Sequence, residues 1–141
     1  MGIASECLGD FILYNDRFLS CRELRDVHLF PGKAIYEIFR VQNRVPLFLE
    51  DHLRRLYYSL EIEGFKIRED AGVILEKIRA LIQANDMASG KMKLIVSFSG
   101  EGQNSGYDLF IYFTLFDPPR QEQYEQGVDI ILCRAVRKDP N

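Results

Sequence analysis

Two long runs of strand-forming residues in the second half of the chain most constrain its fold. They are KMKLIVSFSG, residues 91–100, and YDLFIYFTLF, residues 107–116. The connector EGQNSG between them has the length and glycine content that close an antiparallel hairpin. Pro118 and Pro119 follow the second run and should end it, because proline has no amide hydrogen for a strand ladder. We therefore expect a sheet in which these two strands are adjacent and antiparallel.

The first half of the chain adds two more hairpins. In FILYNDRFLS, residues 11–20, Asn15 and Asp16 tolerate the left-handed geometry of a tight turn between two apolar pieces. A second hairpin is predicted from Lys33 to Leu49, with AIYEIFRV as one strand, QNR as the turn and VPLFL as the returning edge strand. A period of two directs alternate residues of AIYEIFRV to opposite faces. One face carries Ile35, Glu37, Phe39 and Val41, and the other carries Tyr36, Ile38 and Arg40.

Apolar residues at helical spacing predict two helices between these hairpins and the last one. The first runs from about Glu50 to Glu63 and ends at Gly64, and the second runs from about Asp70 to Asn85. The core positions predicted for the two helices are Leu53, Leu56, Tyr57 and Leu60, and then Val73, Ile74, Ile78, Leu81 and Ile82. On the first helix His52, Arg55 and Ser59 share a neighbouring stripe.

A final apolar segment, GVDIILCRAV at residues 127–136, is predicted to form one more strand. The order of elements is then two hairpins, two helices, a hairpin and a strand. This order predicts an α+β fold with two helices on one face of a largely antiparallel sheet. A length of 141 residues fits one domain, spanning residues 1–141.

Composition and charge exclude several classes of function. The net charge of −3 gives no broad attraction to nucleic acid or to an anionic membrane, and no apolar run is long enough to span one. Two histidines cannot form a histidine-rich metal site, so no metal is expected. Cys7, Cys21 and Cys133 show neither a disulfide framework nor zinc-site spacing. A reducing, cytoplasmic setting fits this cysteine usage.

Arg55 is the residue that most suggests a ligand, because a guanidinium presents five donors in a geometry that suits phosphate. The ordinary alternative is that Arg54 and Arg55 are solvated, or pair with the nearby Glu50 and Asp51, as most surface arginines do. The other polar candidates have equally ordinary alternatives. Tyr36 would pack on the sheet, Glu37 would face solvent or a cation, and His52 would lie on the surface.

The combination of these residues resembles the signature of the class IV aminotransferases, the fold type IV family of pyridoxal 5′-phosphate enzymes. This family includes branched-chain and D-amino acid aminotransferases and aminodeoxychorismate lyase. The signature elements present are Tyr36-Glu37, Arg40, the turn at 42–44, His52, Arg55-Leu56, Ser59 and Gly64. GKMKLIVSFSG and QGVDIILCRAVRKDPN also resemble later strands of the family. The resemblance covers nearly the whole chain and corresponds to the family's N-terminal domain.

The resemblance implies a role for each matching residue. Arg55 would bind the phosphate of pyridoxal 5′-phosphate, and Tyr36 would approach the substrate or cofactor from the sheet. Supporting or substrate-binding positions would be Glu37, Arg40, His52 and Lys93, the last of which stands where the family commonly has arginine. The implied reaction is amino group transfer between an amino acid and a 2-oxo acid.

The chain also departs from the family pattern. Before Tyr36 it reads DVHLFPGKA, and Ser97 and Ser99 stand in place of a threonine and arginine. The lysine that forms the Schiff base with the cofactor is expected beyond Asn141, and Lys138 is interpreted as a solvated residue. We therefore expect no catalytic residue in these 141 residues and no transamination by them alone. The chain would be a fragment, a truncated form or a natural orphan half of a longer enzyme.

Loss of a second domain should leave apolar surface uncovered. The expected places are the strand with Phe110, Tyr112 and Phe113, and the region near Ile130, so a homodimer is predicted. The alternative function, from a different class, is a non-enzymatic binding or protein-interaction domain. In that alternative Arg55 is an ordinary surface residue and the tyrosines pack or meet a protein partner.

Overall fold

A six-stranded sheet, antiparallel throughout, organises the computed structural model, which describes residues 3–26 and 32–134. The strands are β1 (Cys7–Tyr14), β2 (Arg17–Ser20), β3 (Ala34–Gln42), β4 (Val45–Pro46), β5 (Gly90–Phe98) and β6 (Tyr107–Thr114), in the order β2-β1-β6-β5-β3-β4. The α-helices are α1 (Ile3–Glu6), α2 (Leu49–Ile62), α3 (Ala71–Asn85) and α4 (Gln121–Gln126), and a 3₁₀ turn spans Glu23–Asp26. The predicted α+β class and antiparallel sheet are confirmed.

The three predicted hairpins form, but β1 begins at Cys7, four residues before the predicted start, and the second hairpin is shorter than predicted. Asn43 and Arg44 both have positive φ, 51° and 64°, which is the geometry of a two-residue turn matched to the twist of its strands. The returning strand was predicted to reach Leu49, but it contains only Val45–Pro46. Proline cannot extend the ladder, and Phe48, with φ of 53°, turns the chain into α2.

Helices α2 and α3 pack on one face of the sheet and form the larger core. Leu53, Leu56 and Leu60 of α2 are buried there as predicted, and Tyr57 is half-buried. Helix α3 is capped by Asp70, whose side chain accepts a hydrogen bond of 2.9 Å from the amide of residue 73. It buries Ile74, Ile78, Leu81 and Ile82. The prediction of a buried Val73 is wrong, because this residue lies in the first turn at the margin of the apolar stripe and is 44% exposed.

The described residues cover only part of the opposite face of the sheet. The 3₁₀ turn and α1 cover a smaller core there that contains Ile3, Ile12, Leu24, Ile95, Phe110 and Tyr112. The prediction that Phe110, Tyr112 and Phe113 are uncovered is therefore wrong, since all three are fully buried. Strand β6 is paired with β1 and β5 at its edges, and its two faces pack into the larger and the smaller core.

A disulfide between Cys7 and Cys21 joins the start of β1 to the turn after β2. The cysteine spacing had indicated no disulfide, and this prediction is wrong. The two residues are 14 positions apart in the sequence, and the β1–β2 hairpin brings them together. Cys133 is free and exposed.

Strand β1 contains an irregularity, and a helix side chain provides hydrogen-bond partners for its backbone groups there. Its pairing with β6 shifts register between Leu8 and Leu13, which leaves backbone groups without ladder partners. The side-chain oxygen of Asn85 accepts hydrogen bonds from the amides of Asp10 and Phe11, at 2.8 and 2.9 Å. Its side-chain nitrogen donates to the Phe11 carbonyl at 3.0 Å. Asn85 thus ties the last turn of α3 to β1.

After β6 the chain lies outside the sheet. The strand predicted for residues 127–136 does not form in its described part, residues 127–134, and the rest falls outside the described residues, as does the prediction for Lys138. Ile130, Ile131 and Leu132 are 83–96% exposed, because no neighbouring strand covers this apolar run. Within the two described ranges, no helix has the length and apolar character needed to cross a membrane.

Candidate functional site

The carboxylate of Glu37 lies on the helix-covered face of the sheet and is 4% exposed. Its place follows from the period of two in β3, which turns Glu37 to the same side as the buried Phe39 and Val41. A carboxylate in such a position requires partners for both oxygens, because an unpaired buried charge is strongly unfavourable. The prediction that Glu37 and Tyr36 occupy opposite faces is confirmed.

Helix α2 supplies these partners from two positions three residues apart. Arg55 donates from Nε to Oε1 of Glu37 at 2.7 Å and from Nη2 to Oε2. His52 lies with Nδ1 at 2.9 Å from Oε2. Residues at this spacing share one side of a helix, so the leucine stripe that fixes α2 on the sheet also aims both side chains at Glu37.

The electrostatics of the cluster favour an ionised pair. Burial alone would raise the pKa of Glu37, but the hydrogen bonds from Arg55 and His52 and the Arg55 charge together hold that pKa below its usual range. The hydrogen bond and charge of Glu37 in turn raise the pKa of the Arg55 guanidinium. The ion pair between Glu37 and Arg55 is therefore formed at neutral pH.

One edge of the Arg55 guanidinium remains available to a ligand. Glu37 occupies Nε and Nη2, whereas Nη1 donates to no group in the described part of the chain, and the side chain is 63% exposed. Arg54 differs: it donates to the exposed Asp51 at 2.9 Å, on the surface of the same helix. The ordinary alternative of pairing with a neighbouring acid thus describes Arg54, whereas Arg55 is held by a buried carboxylate from another element.

The remaining predicted site residues lie on the other face of the sheet. Tyr36 is 59% exposed, and the ammonium of Lys93 lies 5.5 Å from the centre of its ring. Arg40 projects from the same face, with its guanidinium carbon 5.4 Å from the centre of the Phe116 ring. The structure therefore brings Glu37, His52 and Arg55 together and places Tyr36, Arg40 and Lys93 in a second group.

The two groups adjoin at an open edge of β3. Strand β5 pairs with residues 34–41 along one side of β3, but β4 pairs only with Val41 and Gln42 on the other. Beside Tyr36 and Glu37, no described strand occupies that outer side. Tyr36 and Glu37, the partner of Arg55, therefore lie next to each other on opposite faces at this open edge.

Sequence reasoning missed Glu6 and Tyr112 as site residues. Glu6 accepts a hydrogen bond from Lys93 and another from the hydroxyl of Tyr112. Glu6 lies 87 residues before Lys93, at the end of a four-residue helix that no periodicity indicated. Only the three-dimensional pairing of β1, β6 and β5 brings these residues together.

A cavity of about 790 Å³ lies elsewhere, between α2 and α3. Its lining includes Val45, Phe48, Leu53 and Leu75, and it contains neither Glu37 nor Arg55. We place the candidate site at the Glu37 cluster because an exposed guanidinium held by a buried carboxylate, with one edge left free, points to an anion there.

The family model for amino-transferase class IV matches residues 34–141, a range that includes the whole cluster. The chain belongs to the class IV aminotransferase family. Among its relatives, a D-alanine aminotransferase of Bacillus licheniformis is 23% identical over 136 residues, covering 89% of this chain and 48% of that protein.

Solved structures show the same fold. The branched-chain amino acid aminotransferase of Escherichia coli matches with a TM-score of 0.78 and 21% identity, over 95% of this chain and 49% of that one. The branched-chain aminotransferase of Thermobaculum terrenum, solved with pyridoxal 5′-phosphate, matches with a TM-score of 0.65 and 22% identity, over 83% of this chain and 42% of that one. The chain thus spans about half the length of the relatives it matches.

Proposed function

We propose that this chain is the N-terminal part of a pyridoxal 5′-phosphate-dependent class IV aminotransferase, which transfers an amino group between an amino acid and a 2-oxo acid. In this proposal Arg55 binds the phosphate of the cofactor. The observation that carries the proposal is the two-point hydrogen bonding of Arg55 by the buried carboxylate of Glu37. A surface arginine would not require a buried carboxylate from another element to orient it.

The residues present fit a phosphate group. A phosphate dianion seeks fixed donors and positive charge, and Arg55 offers the Nη1 edge of a guanidinium whose other edge is immobilised. Both oxygens of Glu37 are occupied, so its negative charge is compensated by Arg55. Because the side chain is already ordered, binding costs less conformational entropy than it would at a free arginine.

The cofactor, when bound, supplies the electron sink that allows an amino group to be exchanged. The contribution of this chain is to bind and orient: Arg55 holds the phosphate, His52 and Glu37 hold Arg55, and Tyr36 lines the approach at the sheet edge. The amine that would bond covalently to the cofactor is not expected among residues 1–141. We therefore propose that these residues bind the phosphate without turning over an amino acid.

A titration with pyridoxamine 5′-phosphate tests the phosphate site. This compound has no aldehyde and cannot label lysines, so calorimetry or fluorescence reports the non-covalent site alone. Because charge-assisted hydrogen bonds contribute about 1.5–3 kcal/mol each, Arg55→Ala should weaken binding about tenfold or more. Arg54→Ala is the matched control and should leave the affinity unchanged, since Arg54 pairs only with exposed Asp51. Equal losses in the two variants would contradict the site.

A second experiment tests the proposed inactivity. The chain is incubated with pyridoxal 5′-phosphate, an amino acid and a 2-oxo acid, and is then reduced with borohydride. We expect no amino acid turnover and no stoichiometric pyridoxyl-lysine at one position. Turnover together with a single modified lysine would show that the chain contains its own catalytic amine.

The exposed run at Ile130, Ile131 and Leu132 supports a second candidate, a non-enzymatic interaction domain. Apolar residues at this exposure are typical of a segment that meets a partner, and we propose a homodimer as one way of covering it. The pyridoxamine 5′-phosphate titration separates the candidates. In an interaction domain, Arg55→Ala would leave the affinity for this compound unchanged.

A further inference from the structure

A second polar cluster lies on the face of the sheet opposite α2. The carboxylate Oε2 of Glu6 is 2.8 Å from the ammonium of Lys93 and accepts a hydrogen bond of 3.0 Å from the hydroxyl of Tyr112. The side chains of Lys93 and Glu6 are only 19% and 20% exposed. One carboxylate from α1 therefore engages two residues from the central strands β5 and β6.

The cluster compensates the charge of Lys93 within the chain. The hydrogen bond from Lys93 is the largest influence on Glu6 and lowers its pKa, so Glu6 is ionised at neutral pH. Burial, followed by the hydrogen bond to Glu6, raises the pKa of the Tyr112 phenol, which stays protonated and donates. Lys93 thus has a fixed anionic partner on its own chain and little exposed surface. Arg55 is also paired, but its side chain is 63% exposed and its Nη1 edge stays accessible.

Lys93 lies beside Tyr36, where the proposed function places the ligand. Its ammonium lies 5.5 Å from the ring of Tyr36, the exposed residue at the open edge of β3. The other cations of this face are farther along the strands: Arg40 lies over the Phe116 ring, and Lys91 pairs with Arg40 in the register. The surface beside Tyr36 therefore presents an aromatic ring and an ammonium whose charge is already matched.

We propose that Glu6 is a specificity-determining positioning residue, which keeps Lys93 from pairing with a carboxylate in the side chain of the substrate. The surface beside Tyr36 then favours amino acids with uncharged, apolar side chains over acidic ones. The inference rests on the proposed function, because it takes the phosphate at Arg55 to orient the ligand toward this edge. Specificity arises here because an acidic side chain finds no unpaired ammonium to bind its carboxylate.

Two probes that differ only in the amino acid side chain test this inference. They are N-(5′-phosphopyridoxyl)-L-leucine and N-(5′-phosphopyridoxyl)-L-glutamate, and calorimetry measures the ratio of their dissociation constants. The unmodified chain should prefer the leucine compound. Glu6→Gln preserves a hydrogen-bond acceptor and removes the charge, so it should shift the ratio about tenfold toward the glutamate compound. A second substitution, Lys93→Gln, should abolish that shift.

Matched variants distinguish specificity from a general structural effect. Glu6→Asp keeps the charge and should retain the preference for leucine. Glu76→Gln removes an equal charge from an exposed pair with Arg79 on α3 and should leave the ratio unchanged. Loss of stability in Glu6→Gln would weaken both probes together, whereas the proposal requires a change in their ratio.

The outcomes separate this inference from the proposed function. If Arg55→Ala weakens both probes and Glu6→Gln leaves their ratio unchanged, the phosphate site stands and the role of Glu6 is overturned. If the unmodified chain binds neither probe, or binds them equally well after Arg55→Ala, the proposed function fails and the inference fails with it.

Discussion

The two faces of the sheet differ in how completely the chain covers them. On one face α2 and α3 bury a continuous core. Glu37 is the only buried charged residue among those that the structure describes, and each of its oxygens has a partner. On the other face α1 and the 3₁₀ turn cover β1 and β6, whereas Tyr36 and Arg40 of β3 remain exposed. The helix-covered face thus holds most of the core, whereas the other face keeps accessible side chains on β3.

This contrast indicates why Arg55 and Tyr36 lie on different faces. A phosphate site requires an immobile cation, which the well-packed α2 can provide. A site for variable substrate groups requires accessible side chains, which the half-covered face provides. Under the proposed function, both requirements would be met at the open edge of β3.

The largest expected effect contrasts the helix-covered core with the exposed half of the other face. Leu56 of α2 is fully buried, so Leu56→Ala should lower the free energy of unfolding by about 3 kcal/mol. Tyr36→Ala, on the exposed half of the other face, should change it by less than about 0.5 kcal/mol. Urea unfolding followed by circular dichroism measures both. Similar losses in the two variants would show that the exposed half contributes to folding as much as the helical core does.

A smaller effect is expected at the buried carboxylate. Glu37→Gln should cost about 1–2 kcal/mol at pH 7, because Arg55 and His52 lose a charged acceptor. The folded pKa of Glu37 lies below its ordinary value of 4.5, so its ionised form stabilises the fold above that pH. This contribution should disappear as the pH falls through the lowered pKa, and the variant should lose less stability over the same range.

The measurement is a series of urea unfolding curves between pH 7 and pH 3. Arg54→Gln serves as the control for charge removal on the same helix, and its pH profile should match that of the unmodified chain. A Glu37→Gln profile parallel to that of the unmodified chain would mean that the ion pair contributes no pH-dependent stability.

The smallest expected change in stability lies outside the sheet. Ile131 is 92% exposed, so Ile131→Asp should change the free energy of unfolding by less than about 0.5 kcal/mol. If the apolar segment mediates the predicted homodimer, the same variant should shift the sedimentation profile toward monomer. An unmodified chain that stays monomeric at high micromolar concentration would contradict the homodimer.

The sequence was most informative where periodicity was strong. The alternation in AIYEIFRV correctly separated Glu37 from Tyr36, and the leucine spacing in the next segment located α2 to within one residue at each end. The stripe containing His52 and Arg55 was also correct, because three-residue spacing fixes direction on a helix. Local patterns of this kind depend only on neighbouring residues.

Contacts between distant segments could not be predicted in this way. No local signal links Glu6 to Lys93 or Cys7 to Cys21, since both pairs depend on the order of strands in the sheet. The burial of Phe110 was missed for the same reason, because the segments that cover this side of its strand come from distant parts of the chain. The segment at 127–134 shows the converse: its sequence is typical of a strand, but it pairs with no described strand.

The amide of Asn85 has a consequence for how this domain can tolerate changes in length. Successive residues of a helix are rotated by about 100°, so deleting one residue within α3 would swing this side chain away from β1. The amides of Asp10 and Phe11 would then lose the acceptor that the irregular strand depends on. The rotation of α3 about its axis is therefore fixed relative to β1. Insertions or deletions should accumulate in the loops on either side of α3 rather than within it.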